Sequence, residues 1–81
     1  MVWNYRVVKR VTPAETIYAI HEAYYAEDKT VDAITQDAVG LTGATPEELH
    51  KAWSLMEEAF RAPVLDYDTR KEIARLAVEG T

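Results

Sequence analysis

Apolar and polar positions alternate with a period of two over Val2–Val11 (VWNYRVVKRV), and Thr16–Tyr25 (TIYAIHEAYY) follows as a second, mostly apolar stretch. Both stretches are rich in β-branched and aromatic residues, which predicts two strands. Thr12-Pro13-Ala14-Glu15 lies between them, and proline at turn position i+1 suits a hairpin connection. In the first strand Trp3, Tyr5, Val7 and Val11 share one side with Lys9, while Val2, Asn4, Arg6, Val8 and Arg10 share the other. The Trp3/Tyr5/Val7 side is expected to meet a helix and the Arg6/Arg10 side to face mainly solvent. In the second strand neither set, Tyr18/Ile20/Glu22/Tyr24 or Ile17/Ala19/His21/Ala23/Tyr25, is clearly polar. That strand therefore reads as central, and a one-residue shift of register would exchange its two faces. After a polar turn without glycine, Ala26-Glu27-Asp28-Lys29, Thr30–Thr35 predicts a shorter third strand with Ala33 and Ile34 buried.

The period changes at Thr45. Over Thr45–Arg61 (TPEELHKAWSLMEEAFR), Leu49, Ala52, Trp53, Met56, Ala59 and Phe60 recur at spacings of three and four, which predicts one long amphipathic helix. Thr45 as N-cap, Pro46 at the first helical position and Glu48 three residues after the cap form a capping-box start. Gly40 and Gly43 let the preceding connection bend into that cap, with Val39 and Leu41 tucked under the core edge. Ala62-Pro63 ends the helix, and Val64-Leu65 is expected to return across the hydrophobic layer. Asp66 or Asp68 would then cap a short second helix, Thr69–Val78, with Ile73, Leu76 and Ala77 as its apolar stripe. Arg70 and Lys71 in its first turn oppose the helix dipole. The expected fold is a single α+β domain over 1–81: a three-stranded antiparallel sheet, one long helix on one face, and a short C-terminal helix (βββαα). Its expected core is Trp3, Tyr5, Val7, Ile20, Ile34, Leu49, Trp53, Met56 and Phe60.

Composition narrows the class. With 81 residues, 48% of them hydrophobic, the chain is one small globular domain that buries roughly 60–65% of its unfolded surface. The absence of cysteine excludes a disulfide framework and a thiol nucleophile. No apolar run approaches the ~20 residues of a membrane span, so a cytoplasmic location without membrane contact is expected. The net charge of −5 is uneven: +3 over residues 1–12, −9 over 13–68 and +1 over 69–81. An acidic middle repels nucleic acid, which makes direct nucleic-acid binding an unfavoured reading.

Catalytic signals are sparse. His21 and Glu22 are adjacent on a strand and point to opposite faces, and His50 lies on the polar side of the helix. There is no glycine-rich phosphate loop and no nucleophile elbow, and the lone serine, Ser54, sits within the helix. No enzyme activity, no cofactor and no metal site is expected. The candidate surface is the aromatic and basic set Arg6, Arg10, Tyr18, Tyr24 and Tyr25. Aromatic residues across a sheet can stack bases when cations lie between them, but here they read as cross-strand and core rings or as a surface for a protein partner.

Trp3–Val8 (WNYRVV), Tyr18–Tyr25 (YAIHEAYY), Thr45–Leu49 (TPEEL) and Ala62–Asp68 (APVLDYD) together resemble a family of short, uncharacterised bacterial proteins. More distantly, Gly43, Thr45, Glu47 and Glu48 at the helix start resemble HicB-like antitoxins. That resemblance implies a partial ribonuclease-H-like fold and a toxin as partner. The expected function is a small acidic protein-interaction or regulatory module, its partner another protein or a second copy in a homodimer. The alternative is a HicB-like antitoxin or a phage-type acidic inhibitor of a nucleic-acid-binding protein.

Overall fold

The structure, a computed structural model, describes residues 2–74. Strands β1 (Val2–Val11) and β2 (Thr16–Tyr25) occupy the two alternating stretches. They pair antiparallel along their whole length, from Val2 opposite Tyr25 to Val11 opposite Thr16. The hairpin closes where Thr12 N–H donates to Glu15 O at 2.8 Å. β3 (Val31–Ile34) pairs antiparallel with β2, with a break in register at Tyr24/Tyr25. Helix α1 (Pro46–Met56) begins at Thr45, whose Oγ1 accepts the Glu48 N–H at 3.1 Å. It tightens into a 3-10 segment, Glu57–Arg61, before Pro63.

The chain then departs from the expected βββαα layout. Val64–Asp66 is a strand, β4, beside β1 and parallel to it, with Val8 opposite Leu65 and Lys9 opposite Asp66. Glu72–Ala74 forms β5, antiparallel to β4. The sheet is thus five-stranded and mixed, in the order β3-β2-β1-β4-β5, and it curls into a half-barrel. The expected three-stranded antiparallel sheet with two helices is incorrect. A helix that follows β3 carries the chain back along the sheet, so the next strand runs in the direction of β1. The edge of β1 away from β2 has backbone groups that need partners, and Val64-Leu65 supplies them. The expected helix Thr69–Val78 is replaced by β5 over 72–74; residues 75–78 lie outside the described residues.

Register decides the faces. Ile20 lies opposite Val7 and Arg6 opposite His21, so Tyr18, Ile20, Glu22 and Tyr24 share the helix side with Trp3, Tyr5 and Val7. On that side Val7, Ala59 and Val64 form a buried cluster flanked by Tyr5 and Ile20. On the other side, inside the curl, Val8, Ala23 and Leu65 form a second cluster flanked by Tyr25, Val31, Ile34 and Tyr67. The Arg6/Arg10 side is therefore not mainly solvent: Arg6 is 5% and His21 3% exposed, because the curl and the two added strands enclose them.

The expected core also changes. Trp3, Leu49, Trp53 and Phe60 are 41–50% exposed, while Val8, Ala23, Val64 and Leu65 are buried. The 3-10 segment, more than α1, packs against β1. Within that segment small Ala59 meets the sheet and Phe60 is left at the surface, as is Trp53 of α1.

Candidate functional site

The structure divides the five sequence-derived candidates between the two faces. Arg6, Arg10 and Tyr25 lie inside the curl; Tyr18 and Tyr24 lie on the helix side. The aromatic and basic residues that would interleave in a base-stacking platform are thus largely separated by the sheet.

Inside the curl, Arg6 is the centre. Its Nη1 donates to the Tyr25 hydroxyl at 2.8 Å, and its Nη2 donates to Pro63 O at 2.6 Å and to Glu72 Oε2 at 3.1 Å. The Tyr25 hydroxyl in turn donates to Asn4 Oδ1 at 2.7 Å. One guanidinium thereby ties β1 to β2, to the end of the 3-10 segment and to β5. Its Nε is buried without a hydrogen-bond partner among the described residues. A buried cation needs such fixed oxygens to offset lost hydration. Further along the same face the Arg10 guanidinium lies 4.2 Å from the Tyr67 ring centroid, a cation–π contact, and donates to Gln36 O at 3.1 Å. His21 Nδ1 lies 2.9 Å from Thr35 O, so the proton sits on Nδ1. His50 is on α1, its ring 6.0 Å from that of Trp53, so the two histidines serve separate surroundings.

Two turns close over the Arg6 end of this face. In the first, the N–H and hydroxyl of Thr30 both donate to Asp28 Oδ1, at 3.1 and 2.6 Å. In the second, Thr69 N–H donates to Asp66 Oδ2 at 2.9 Å and Arg70 N–H to Asp66 O at 2.8 Å. Hydrogen bonds from Thr30 and Thr69 hold the carboxyl groups of Asp28 and Asp66 below the ordinary aspartate value. Each turn contains a non-glycine residue in the left-handed region, Lys29 at φ 70° and Arg70 at φ 62°. Such a conformation costs roughly 1–2 kcal/mol for an L-residue. Asp66 thus does bind a backbone N–H three residues on, as a helix cap would, but the left-handed Arg70 turns the chain into β5.

On the helix side, Trp53, Phe60, Leu41, Val39, Ile20 and Met56 line a groove with a volume of about 440 Å³, with Glu57 as its one charged lining residue among the described residues. Trp3 stands edge-on to Tyr5 at 5.2 Å and 6.3 Å from Tyr24. The Tyr24 hydroxyl donates to Glu22 Oε1, and that bond raises its pKa above the ordinary tyrosine value. Tyr18 is exposed on the same side. The sequence placed Trp53 and Phe60 in the core and Leu41 under its edge, and did not mark Asn4, Glu72, Tyr67, Lys29 or Arg70 as site residues. Asn4 was legible there, because it shares a strand face with Arg6.

Among the described residues no helix is long and apolar enough to cross a membrane. Comparison of the chain with protein-family models, with curated proteins and with solved structures gives no match.

Proposed function

We propose that the chain is a non-enzymatic protein-interaction module that acts as a homodimer, two copies meeting through the helix-side groove. One observation carries this. Among the described residues the buried apolar set is Val7, Val8, Ala23, Met56, Ala59, Val64 and Leu65, three of them alanine or methionine, whereas both tryptophans, Leu41, Leu49, Leu55 and Phe60 are exposed. A small domain needs most of its large apolar side chains for its own stability. Large apolar groups left around a groove mark an interface.

A second copy is the simplest occupant. A two-fold axis lets the Trp53 and Phe60 of each copy fill the groove of the other, so one patch is self-complementary. Aromatic anchors of this kind dominate interface energies. The separation of Arg6 and Arg10 from Tyr18 and Tyr24 across the sheet supports a protein partner over a nucleic acid.

The test is sedimentation velocity over a wide range of protein concentration, for the wild type and for Trp53→Glu. The wild type should pass from monomer to dimer. Trp53→Glu should lose about 2 kcal/mol or more per copy and remain monomeric with an unchanged circular dichroism spectrum. A wild type that stays monomeric throughout, or a Trp53→Glu dimer of undiminished strength, would refute the proposal.

A further inference from the structure

The face opposite the helix-side groove carries a cleft of different character. Because the sheet curls, its two edges approach each other: Val31 of β3 and Glu72 of β5 line one cleft of about 460 Å³. Arg6, Lys29, Arg70 and Lys71 line the same cleft. Four of the nine lysines and arginines of a chain with net charge −5 are therefore gathered there. Among the described residues the one acid of the lining is Glu72. Solvated surface charge does not explain this arrangement, since like charges placed together repel. Nor does local propensity, because the two left-handed non-glycine residues among those described, Lys29 and Arg70, are both cations and both line this cleft.

Arg6 supplies the second observation. It is nine-tenths buried, lines the cleft, and keeps a buried Nε–H with no partner among the described residues. Its Nη2 already holds one oxyanion, the Glu72 carboxylate, at 3.1 Å. That carboxylate comes from a three-residue edge strand, and its side chain is 58% exposed. It occupies the position of an anion that a stronger one can displace. Guanidinium and ammonium groups converging from several segments suit a tetrahedral oxyanion with several acceptor oxygens.

We propose that this cleft binds a small oxyanion of the phosphate class, with Arg6 at its floor, Lys29, Arg70 and Lys71 at its rim, and Glu72 as the group displaced. A neighbouring hollow of about 600 Å³, lined by Val2, Asn4, Tyr25, Ala26, Glu27 and Lys29, shares Tyr25 and Lys29 with the cleft. It offers apolar room for the organic part of a phosphate monoester.

The experiment is a titration of the ¹⁵N-labelled full chain, followed by amide and Arg6 Nε–H resonances. The probes are inorganic phosphate and phenyl phosphate, at ionic strength held constant with chloride. Saturable shifts should centre on Lys29, Thr30, Arg70, Lys71 and the Arg6 Nε–H. Arg70→Ser and Lys71→Ser should each weaken binding about fivefold. Glu72→Gln should strengthen it by removing the competing carboxylate. Lys29→Gly relieves the left-handed backbone and removes a cation, so it should melt no lower than the wild type yet bind more weakly. Tighter binding of phenyl phosphate, with shifts spreading to Val2 and Asn4, would assign a monoester; equal binding would assign free phosphate. Shifts that do not saturate, that scatter over the surface, or that persist unchanged in the Arg70→Ser and Lys29→Gly variants would overturn the proposal.

Discussion

Leu65→Ala and Leu49→Ala make the same chemical change at two positions that the structure ranks in opposite order from the sequence. Leu65 has no exposed surface and packs with Val8 and Ala23 inside the curl. Truncation removes three carbons, about 2.4 kcal/mol at ~0.8 kcal/mol per methylene. The rings of Tyr25 and Tyr67 and the side chains of Val31 and Ile34 border the space, and incomplete collapse adds a cavity cost, for a total of about 4 kcal/mol. A chain of 81 residues has a total stability of about 4–12 kcal/mol, so this variant retains little. Leu49, in the first turns of α1, is 41% exposed. Its truncation leaves no closed cavity and gains helix propensity, so the loss should be about 1 kcal/mol. Urea melts followed by far-ultraviolet circular dichroism, all at one protein concentration, measure both. With a slope near 1 kcal/mol/M for a small domain, the midpoints should differ by about 3 M. Equal losses, or a larger loss at Leu49, would refute the placement of β4 inside the sheet, between β1 and β5.

Three further outcomes follow from local geometry. A Cβ on Gly43 would collide with the backbone of the first turn of α1, including Leu49 Cα at 2.8 Å, whereas nothing lies within 4 Å of one on Gly40. Thermal melts should therefore show a loss of about 1–3 kcal/mol for Gly43→Ala and little change for Gly40→Ala. Arg6→Met removes the donors to Tyr25, Pro63 and Glu72 but also a buried cation with an unpaired Nε. Tyr25 keeps Asn4, so the net loss in a urea melt should be about 1–3 kcal/mol. Asp28 and Asp66 titrate below their ordinary value of 3.8 in the folded chain. The stability they confer is fully present above the unfolded value and is lost as pH falls through the folded values. An acid titration by NMR should show the Thr30 and Thr69 amides moving with their aspartates below pH 3.8; amides that move well above it would contradict the two turns.

Much of the fold was legible because its signals are long and local. Alternation marked β1, a ten-residue run of β-branched and aromatic residues marked β2, and Thr45-Pro46 with Glu48 marked the start of α1. β4 and β5 are three residues each, too short for a period to register. Asp66 makes the same bond to a following N–H in a turn as at a helix cap, and nothing in Arg70 announces a left-handed backbone that glycine usually supplies. The burial of Arg6 depends on Glu72, sixty-six residues away in sequence, so its strand face read as solvent. Tyr25 and Arg6 were singled out together on composition, and the structure joins them by a hydrogen bond. Tyr18 and Tyr24 were grouped with them because alternation does not reveal register. The stripe of α1 was correctly apolar, but a period states only that a face seeks cover. It does not say whether its own sheet or another copy provides it.

Self-association through the helix-side groove is the central claim, and an isotope-filtered nuclear Overhauser experiment on a mixture of labelled and unlabelled chain tests it most directly. Intermolecular cross-peaks are expected between the Trp53 indole or Phe60 ring of one copy and Leu41, Val39 or Met56 of the other. Intermolecular cross-peaks confined to the edge strands β3 and β5, or none at concentrations where the wild type sediments as a dimer, would contradict it.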